Sequence, residues 1–243
     1  MVTEKNGWFL EGDRLIKYRG KEAIVTVPSG VRAIAPLAFK EQAVVKVTLP
    51  ETVREVEMAA VHRCGRLKEV VLNEGLLRIG PSAFTPDTHL WRVALPESLT
   101  ELGESAFFGC DALTELRLPS HLAEIPQAAF GGCGLRALRI PHTVKRIGYG
   151  AFSLCRDLKT VFVENGVEEI GGTALAECPH LKIYIPFSVK KLSKYVFLDG
   201  IHGVGKDFCI YCDDPRHLPE GWDLGNLPVK PVAEARGLFD TVK

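Results

Sequence analysis

Two stretches of this chain carry residue types at spacings that can do chemistry, and both lie toward its C-terminal end. Cys209-Ile210-Tyr211-Cys212 has the Cys-x-x-Cys spacing of redox and zinc sites. Gly200-Ile201-His202-Gly203-Val204-Gly205-Lys206 supplies the Gly-x-x-x-x-Gly-Lys half of a phosphate-binding loop. Each fails on its surroundings. Phe208, Ile210 and Tyr211 read as a strand, in which residues i and i+3 face opposite ways, so the thiols of Cys209 and Cys212 diverge. No second cysteine pair is available to complete a tetrahedral zinc site. After Lys206, the residue that must offer a hydroxyl to magnesium is Asp207, whose charge repels phosphate, and a β-rich segment follows where a helix N-terminus is required. The histidines at 62, 89, 121, 142, 180, 202 and 217 scatter without a His-x-x-x-His spacing, and no Gly-x-Ser-x-Gly elbow occurs. The expectation is a chain with no catalytic residues, no metal ligands and no cofactor. Nucleotide binding at Gly200 to Lys206 stands as the alternative from a different functional class.

What positions the remaining residues is a repeat. The residue closing each apolar pair falls at Pro28, Pro50, Asn73, Pro96, Pro119, Pro141, Glu164 and Pro186, eight positions separated by 22 or 23 residues. Three residues on, the column is Val31, Val53, Leu76, Leu99, Leu122, Val144, Val167, Val189; six on, it is Ile34, Val56, Ile79, Leu102, Ile125, Ile147, Ile170, Leu192. The eleventh holds Phe39, Val61, Phe84, Phe107, Phe130, Phe152, Leu175 and Phe197, and the fourteenth holds Cys64, Cys110, Cys133, Cys155 and Cys178. A fixed period in the twenties with aliphatic residues at fixed offsets predicts a right-handed leucine-rich-repeat solenoid of the α/β class, mostly β, with a curved parallel sheet and short helical or irregular returns on its convex side. One repeat cannot offset the roughly 1 to 2 kcal/mol per residue needed to order it, so the copies must stack. At about 4.8 Å per strand, eight copies give a sheet roughly 35 to 40 Å long.

The phrase Ile-Pro-x-x-Val-x-x-Ile-Gly-x-x-Ala-Phe-x-x-Cys-x-x-Leu, whole from Ile140 to Leu158, resembles the BspA-type leucine-rich repeat of bacterial proteins. The likeness spans residues 24 to 200 and reaches into both ends: Leu15 to Gly20 resembles the strand that opens such arrays, and Ile210-Tyr211-Cys212 with Pro219-Glu220-Gly221-Trp222 resembles their closing segment. The resemblance implies interaction surfaces, often of adhesins at bacterial or protist cell surfaces, and no common chemistry. Three regions are expected: a capping hairpin over 1–23, eight repeats over 24–200, and a C-terminal cap and tail over 201–243.

Composition narrows the partners. The 30 basic and 30 acidic residues cancel, so no global field draws nucleic acid or an anionic membrane. No run of 18 apolar residues exists to span a bilayer. The opening Met-Val-Thr-Glu-Lys-Asn-Gly-Trp lacks the basic and apolar regions of a signal peptide, which places the chain as given in the cytoplasm, while relatives with this repeat are commonly exported behind a leader. The cysteine column reads as buried small hydrophobes in a reducing compartment.

Recognition is therefore expected on the concave sheet. One outward column is Ile24, Lys46, Glu69, Arg92, Glu115, Ala137, Thr160, Lys182, whose middle predicts a lateral charge ladder. The next is Thr26, Thr48, Val71, Ala94, Arg117, Arg139, Phe162, Tyr184. Arg117, Arg139, Phe162 and Tyr184 form the candidate patch for a protein or glycan partner, because Arg and aromatic residues dominate interface hot spots. The structural alternative has Phe162 and Tyr184 stacking on each other or on the guanidinium groups, or lying under the C-terminal tail. Ligand identity and oligomeric state follow from no residue in the chain.

Overall fold

The computed structural model describes residues 2–198, 203–240 and 242. Each repeat contributes one strand to a parallel sheet, and the pairing follows the columns. Ile24–Thr26, Lys46–Thr48, Glu69–Val71 and Arg92–Val93 pair in order, with Lys46 opposite Glu69 and Glu69 opposite Arg92. Ala137–Ile140, Thr160–Val163, Lys182–Tyr184, Cys209–Cys212 and Val229–Pro231 form a second run, with Arg139, Phe162, Tyr184 and Tyr211 side by side. The coil thus continues past the eighth repeat through two further strands. A second row of two-residue strands, among them Glu55–Val56 after Pro50 and Arg78–Ile79 after Asn73, follows the corners of the repeat.

The predicted sheet is divided rather than continuous. Residues 115–118 of the fifth repeat form no strand, and among the described residues no backbone hydrogen bond ties them to either neighbour. The second row divides at the same place, between Glu101–Leu102 and Glu124–Ile125. The division coincides with a shortened turn: Cys133-Gly134-Leu135 has one residue fewer than Cys110-Asp111-Ala112-Leu113. Only glycine fits there, because a Cβ on Gly134 would lie 2.1 Å from the Asp111 carbonyl oxygen.

On the return side nothing is interrupted. Phe84, Phe107, Phe130 and Phe152 donate their N–H groups to the carbonyls of Ala106, Ala129, Ala151 and Ala174 in the following turns. Their rings stack at centroid spacings of 5.0, 5.5 and 5.6 Å, nearly parallel. The returns contain no α-helix among the described residues; in the first seven repeats they are turns built on a left-handed residue at one repeat position, namely Leu37, Ala59, Ser82, Ser105, Ala128, Gly150 and Thr173, and in the eighth the return is a short 3-10 helix, Lys194–Val196. Left-handed backbone is costly for a residue with a Cβ, and the next two residues, Ala followed by Phe or, after Ala59 and Thr173, by Val61 and Leu175, anchor it by burial.

At the N-terminal end, Val2–Lys5, Trp8–Glu11 and Arg14–Tyr18 make an antiparallel meander whose last strand joins Ala33–Ile34 in parallel. Trp8 sits 4.4 Å from Tyr18 and 6.1 Å from Phe39, so aromatic rings pack over the first turn of the core. At the other end Trp222 is buried, donates its Nε1–H to the Val189 carbonyl at 2.8 Å and meets Phe187 edge-on at 5.7 Å.

Candidate functional site

The cysteine column is built as the repeat requires, and its geometry removes it from chemistry. Each Sγ points at the backbone carbonyl of the preceding turn: Cys64 to Phe39 at 3.0 Å, Cys110 to Phe84 at 3.4 Å, Cys133 to Phe107 at 3.3 Å, Cys155 to Phe130 at 3.2 Å, Cys178 to Phe152 at 3.5 Å. Burial pushes the Cys64 and Cys155 thiols up to about 12, and Cys110, Cys133 and Cys178 upward as well. Thiols so protonated and covered are not nucleophiles. Native protein treated with Ellman's reagent should leave the column unreacted, and the same chain in guanidinium should titrate all seven cysteines. Rapid native labelling of Cys110, Cys133 or Cys155 would show that the coil opens there.

The Cys-x-x-Cys pair diverges as strand geometry demands. Cys212 and Ile210 point into the main core, whereas Cys209 and Tyr211 belong to a separate cluster on the concave side. Of the phosphate-loop motif, Gly200, Ile201 and His202 lie outside the described residues; Lys206 and Asp207 form a turn that leads into Cys209–Cys212, a strand and not a helix. Among the described residues no three or more His, Cys, Asp or Glu side chains converge as metal ligands.

The concave face carries the remaining polar and aromatic groups. The charge column runs as a ladder where its strands pair: Glu69 sits between Lys46, at 3.1 Å, and Arg92, at 3.8 Å. Exposed pairs of this kind contribute about 0 to 1 kcal/mol each and mainly keep the face hydrated. In the neighbouring column, the Arg139 guanidinium lies 4.8 Å from the Phe162 ring centroid while its Nε donates to Glu164 Oε1 at 2.6 Å. Phe162 stacks on Tyr184 at 4.9 Å, and the Tyr184 hydroxyl donates to Asp213 at 2.9 Å. Burial and that carboxylate both hold the Tyr184 phenol well above its usual range.

Three of the four candidate residues, Arg139, Phe162 and Tyr184, are thus one contiguous stack. Arg117 stands apart on the interrupted fifth repeat, 84% exposed and 3.4 Å from Glu97. It borders an open cleft of about 560 Å³ between Val93 and Ala137, whose walls include Glu115 and Arg136. Trp91, 53% exposed, lies at the adjoining end of the same hollow.

Reading the repeat alone missed three residues, of which Tyr211 and Phe239 shape this surface and Asp87 lies in the buried return column. Tyr211 continues the aromatic row from the strand after the last repeat. Phe239, from the tail, lies over Phe162, Tyr184 and Tyr211. Asp87 occupies the cysteine position of the third repeat and is completely buried; its place in the fourteenth column was the available signal.

Comparison with known proteins agrees with this geometry. The model of the BspA type leucine rich repeat region matches residues 18–133 and 79–201, in six copies. Among solved structures, a leucine-rich-repeat protein of T. pallidum is 30% identical, with a TM-score of 0.65 over 69% of this chain and 82% of that one. A leucine-rich cell surface protein of Faecalibacterium prausnitzii shares the fold at 18% identity, with a TM-score of 0.53 over 89% of this chain and 96% of the other. No curated protein matches the sequence.

Proposed function

The chain belongs to the BspA-type leucine-rich-repeat family, and from that membership we propose that it is a non-catalytic binding scaffold that recognises a protein or glycan partner through its concave face. The observation that carries this reading is the row on that face: a guanidinium on an aromatic stack, bordered by an open cleft with further arginines. Rigid aromatic and Arg groups bury large areas at low conformational cost and still offer directed polar contacts. The sheet beneath fixes Arg139, Phe162 and Tyr184 in register, so little ordering of these three remains to be done when a partner docks. Arg117, Arg139, Phe162 and Tyr184 are the residues assigned to contact.

The test is affinity capture from bacterial lysate and, separately, from host mucin and matrix extract. Wild type is compared with the Arg117→Ala, Arg139→Ala, Phe162→Ala, Tyr184→Ala variant after circular dichroism shows that both fold. The expected result is loss of a partner that wild type retains, by about tenfold or more in affinity if two of the four are hot spots. A partner from the extracellular extract would support an adhesin role, and one from lysate an intracellular scaffold. Unchanged capture would sink the assignment and move attention to the convex loops.

A further inference from the structure

The C-terminal segment does more than end the sheet. After the edge strand Val229–Pro231 comes a 3-10 helix, Val232–Ala235, and Gly237, at φ +77°, turns the chain back over the concave face. Leu238 and Phe239 then cross three successive strands. Phe239 meets Phe162 at 5.7 Å, Tyr184 at 6.4 Å and Tyr211 at 5.7 Å, tilted to edge-on in each case, the arrangements aromatic pairs prefer. With Cys209, Ala235 and Val242 these residues form an apolar cluster distinct from the main core. The tail therefore occupies a trough in the sheet with one aromatic anchor and its aliphatic flanks.

The trough is not filled to its end. Beside Leu238 an open cavity of about 510 Å³ is lined by Lys159, Thr160, His180, Lys182 and Asp207. Asp207 faces His180 at 3.7 Å. Among the described residues neither Lys159 nor Lys182 takes part in an ion pair. Two unpaired ammonium groups beside an aromatic trough define the complementary ligand: an apolar aromatic anchor with a carboxylate next to it. The tail itself has this form, with Asp240 following Phe239.

We propose that the C-terminal half of the concave face is a groove for an extended protein segment carrying an aromatic anchor beside an acidic residue, and that the chain's own tail is its tethered occupant. The proposal rests on the concave-face reading above and names its partner class. A short tether gives the tail a millimolar effective concentration, so an incoming segment binds the wild type with an affinity reduced by the fraction of open groove. The tail sets a threshold that only a better-matched or multivalent partner crosses.

The probe is a fluorescent synthetic peptide of residues 232–243, titrated against the full-length chain and full-length Phe239→Ser by anisotropy. The released variant should bind the peptide at least about tenfold tighter than wild type. Adding Lys159→Glu and Lys182→Glu should weaken that binding, and a peptide with Phe239 replaced by serine should not bind. Equal binding by wild type and Phe239→Ser, or equal binding of the two peptides, overturns the proposal. Phe239→Leu, which keeps an apolar anchor, gives a graded release if the serine variant does not fold. The capture experiment above is independent: a partner lost on the fourfold variant while the peptide fails to bind would leave the scaffold reading standing and remove the peptide groove. A glycan recovered as that partner would remove it as well.

Discussion

Phe107→Ala lowers the unfolding free energy by about 3 to 5 kcal/mol, the range for an aromatic side chain deleted from a packed core. Phe107 is completely buried and stacks between Phe84 and Phe130 at 5.0 and 5.5 Å. The loss has a second consequence that depends on where this ring sits. A solenoid holds together through nearest-neighbour interfaces, so its cooperativity is only as good as its weakest junction. Around the fifth repeat the strand ladder is open, and the repeats are joined through the return side, where Phe107 donates to Ala129 and stacks on Phe130. Urea unfolding of the variant should therefore separate into two transitions, the N-terminal turns and the C-terminal turns melting apart. A single transition shifted by less than about 1 kcal/mol, with an unchanged slope on denaturant, would show that the return-side column does not bridge the division.

Asp87→Asn abolishes a pH dependence of stability that the wild type carries. Asp87 stands where neighbouring turns have cysteine; its Oδ1 accepts from the Cys64 N–H at 2.7 Å, while its Oδ2 is buried with no hydrogen-bond partner. Burial, opposed only by that one bond, raises its pKa from 3.8 to about 8. The sign follows directly. Between these two values the unfolded chain has released the proton and the folded chain still holds it, so the native state binds more protons and stability falls as pH rises from about 4 to about 8. The slope is about 1.4 kcal/mol per pH unit, which corresponds to about 3 to 5 °C of melting temperature per unit for a chain of this size. Asparagine keeps an acceptor for Cys64 and carries no charge, so its melting temperature should lack this slope and exceed the wild type's most clearly at pH 8. Parallel melting curves for the two proteins from pH 5 to pH 8 would mean that Asp87 is ionised throughout, with a compensating charge or solvent beside it.

Much of the fold is legible from one dimension because a solenoid is nearly one-dimensional. Each turn contacts only the turns before and after it, so residues 22 or 23 apart are neighbours and a column in the sequence is a column in space. Lys46 beside Glu69, Phe107 beside Phe130 and Phe162 beside Tyr184 all follow from the repeat with no further information. The divergence of Cys209 and Cys212 follows from strand alternation alone. The left-handed corners were not legible, because residues such as Ala59, Ser82 and Thr173 announce no positive φ; the tight return imposes it.

The candidate site was legible only in its sheet-borne half. Arg139, Phe162 and Tyr184 share a face because they share a repeat position, and the sequence by itself determined that much. Three things were decided by the tertiary structure. Whether residues 115–118 pair with their neighbours depends on the backbone spacing of three consecutive turns, which Leu116 and Leu118 do not reveal. The burden on Asp87 depends on how completely its surroundings exclude water. The placement of Phe239 over strands dozens of residues away is a long-range contact outside the periodic register, set by a turn at Gly237 and by the apolar area that three aligned rings left to be covered.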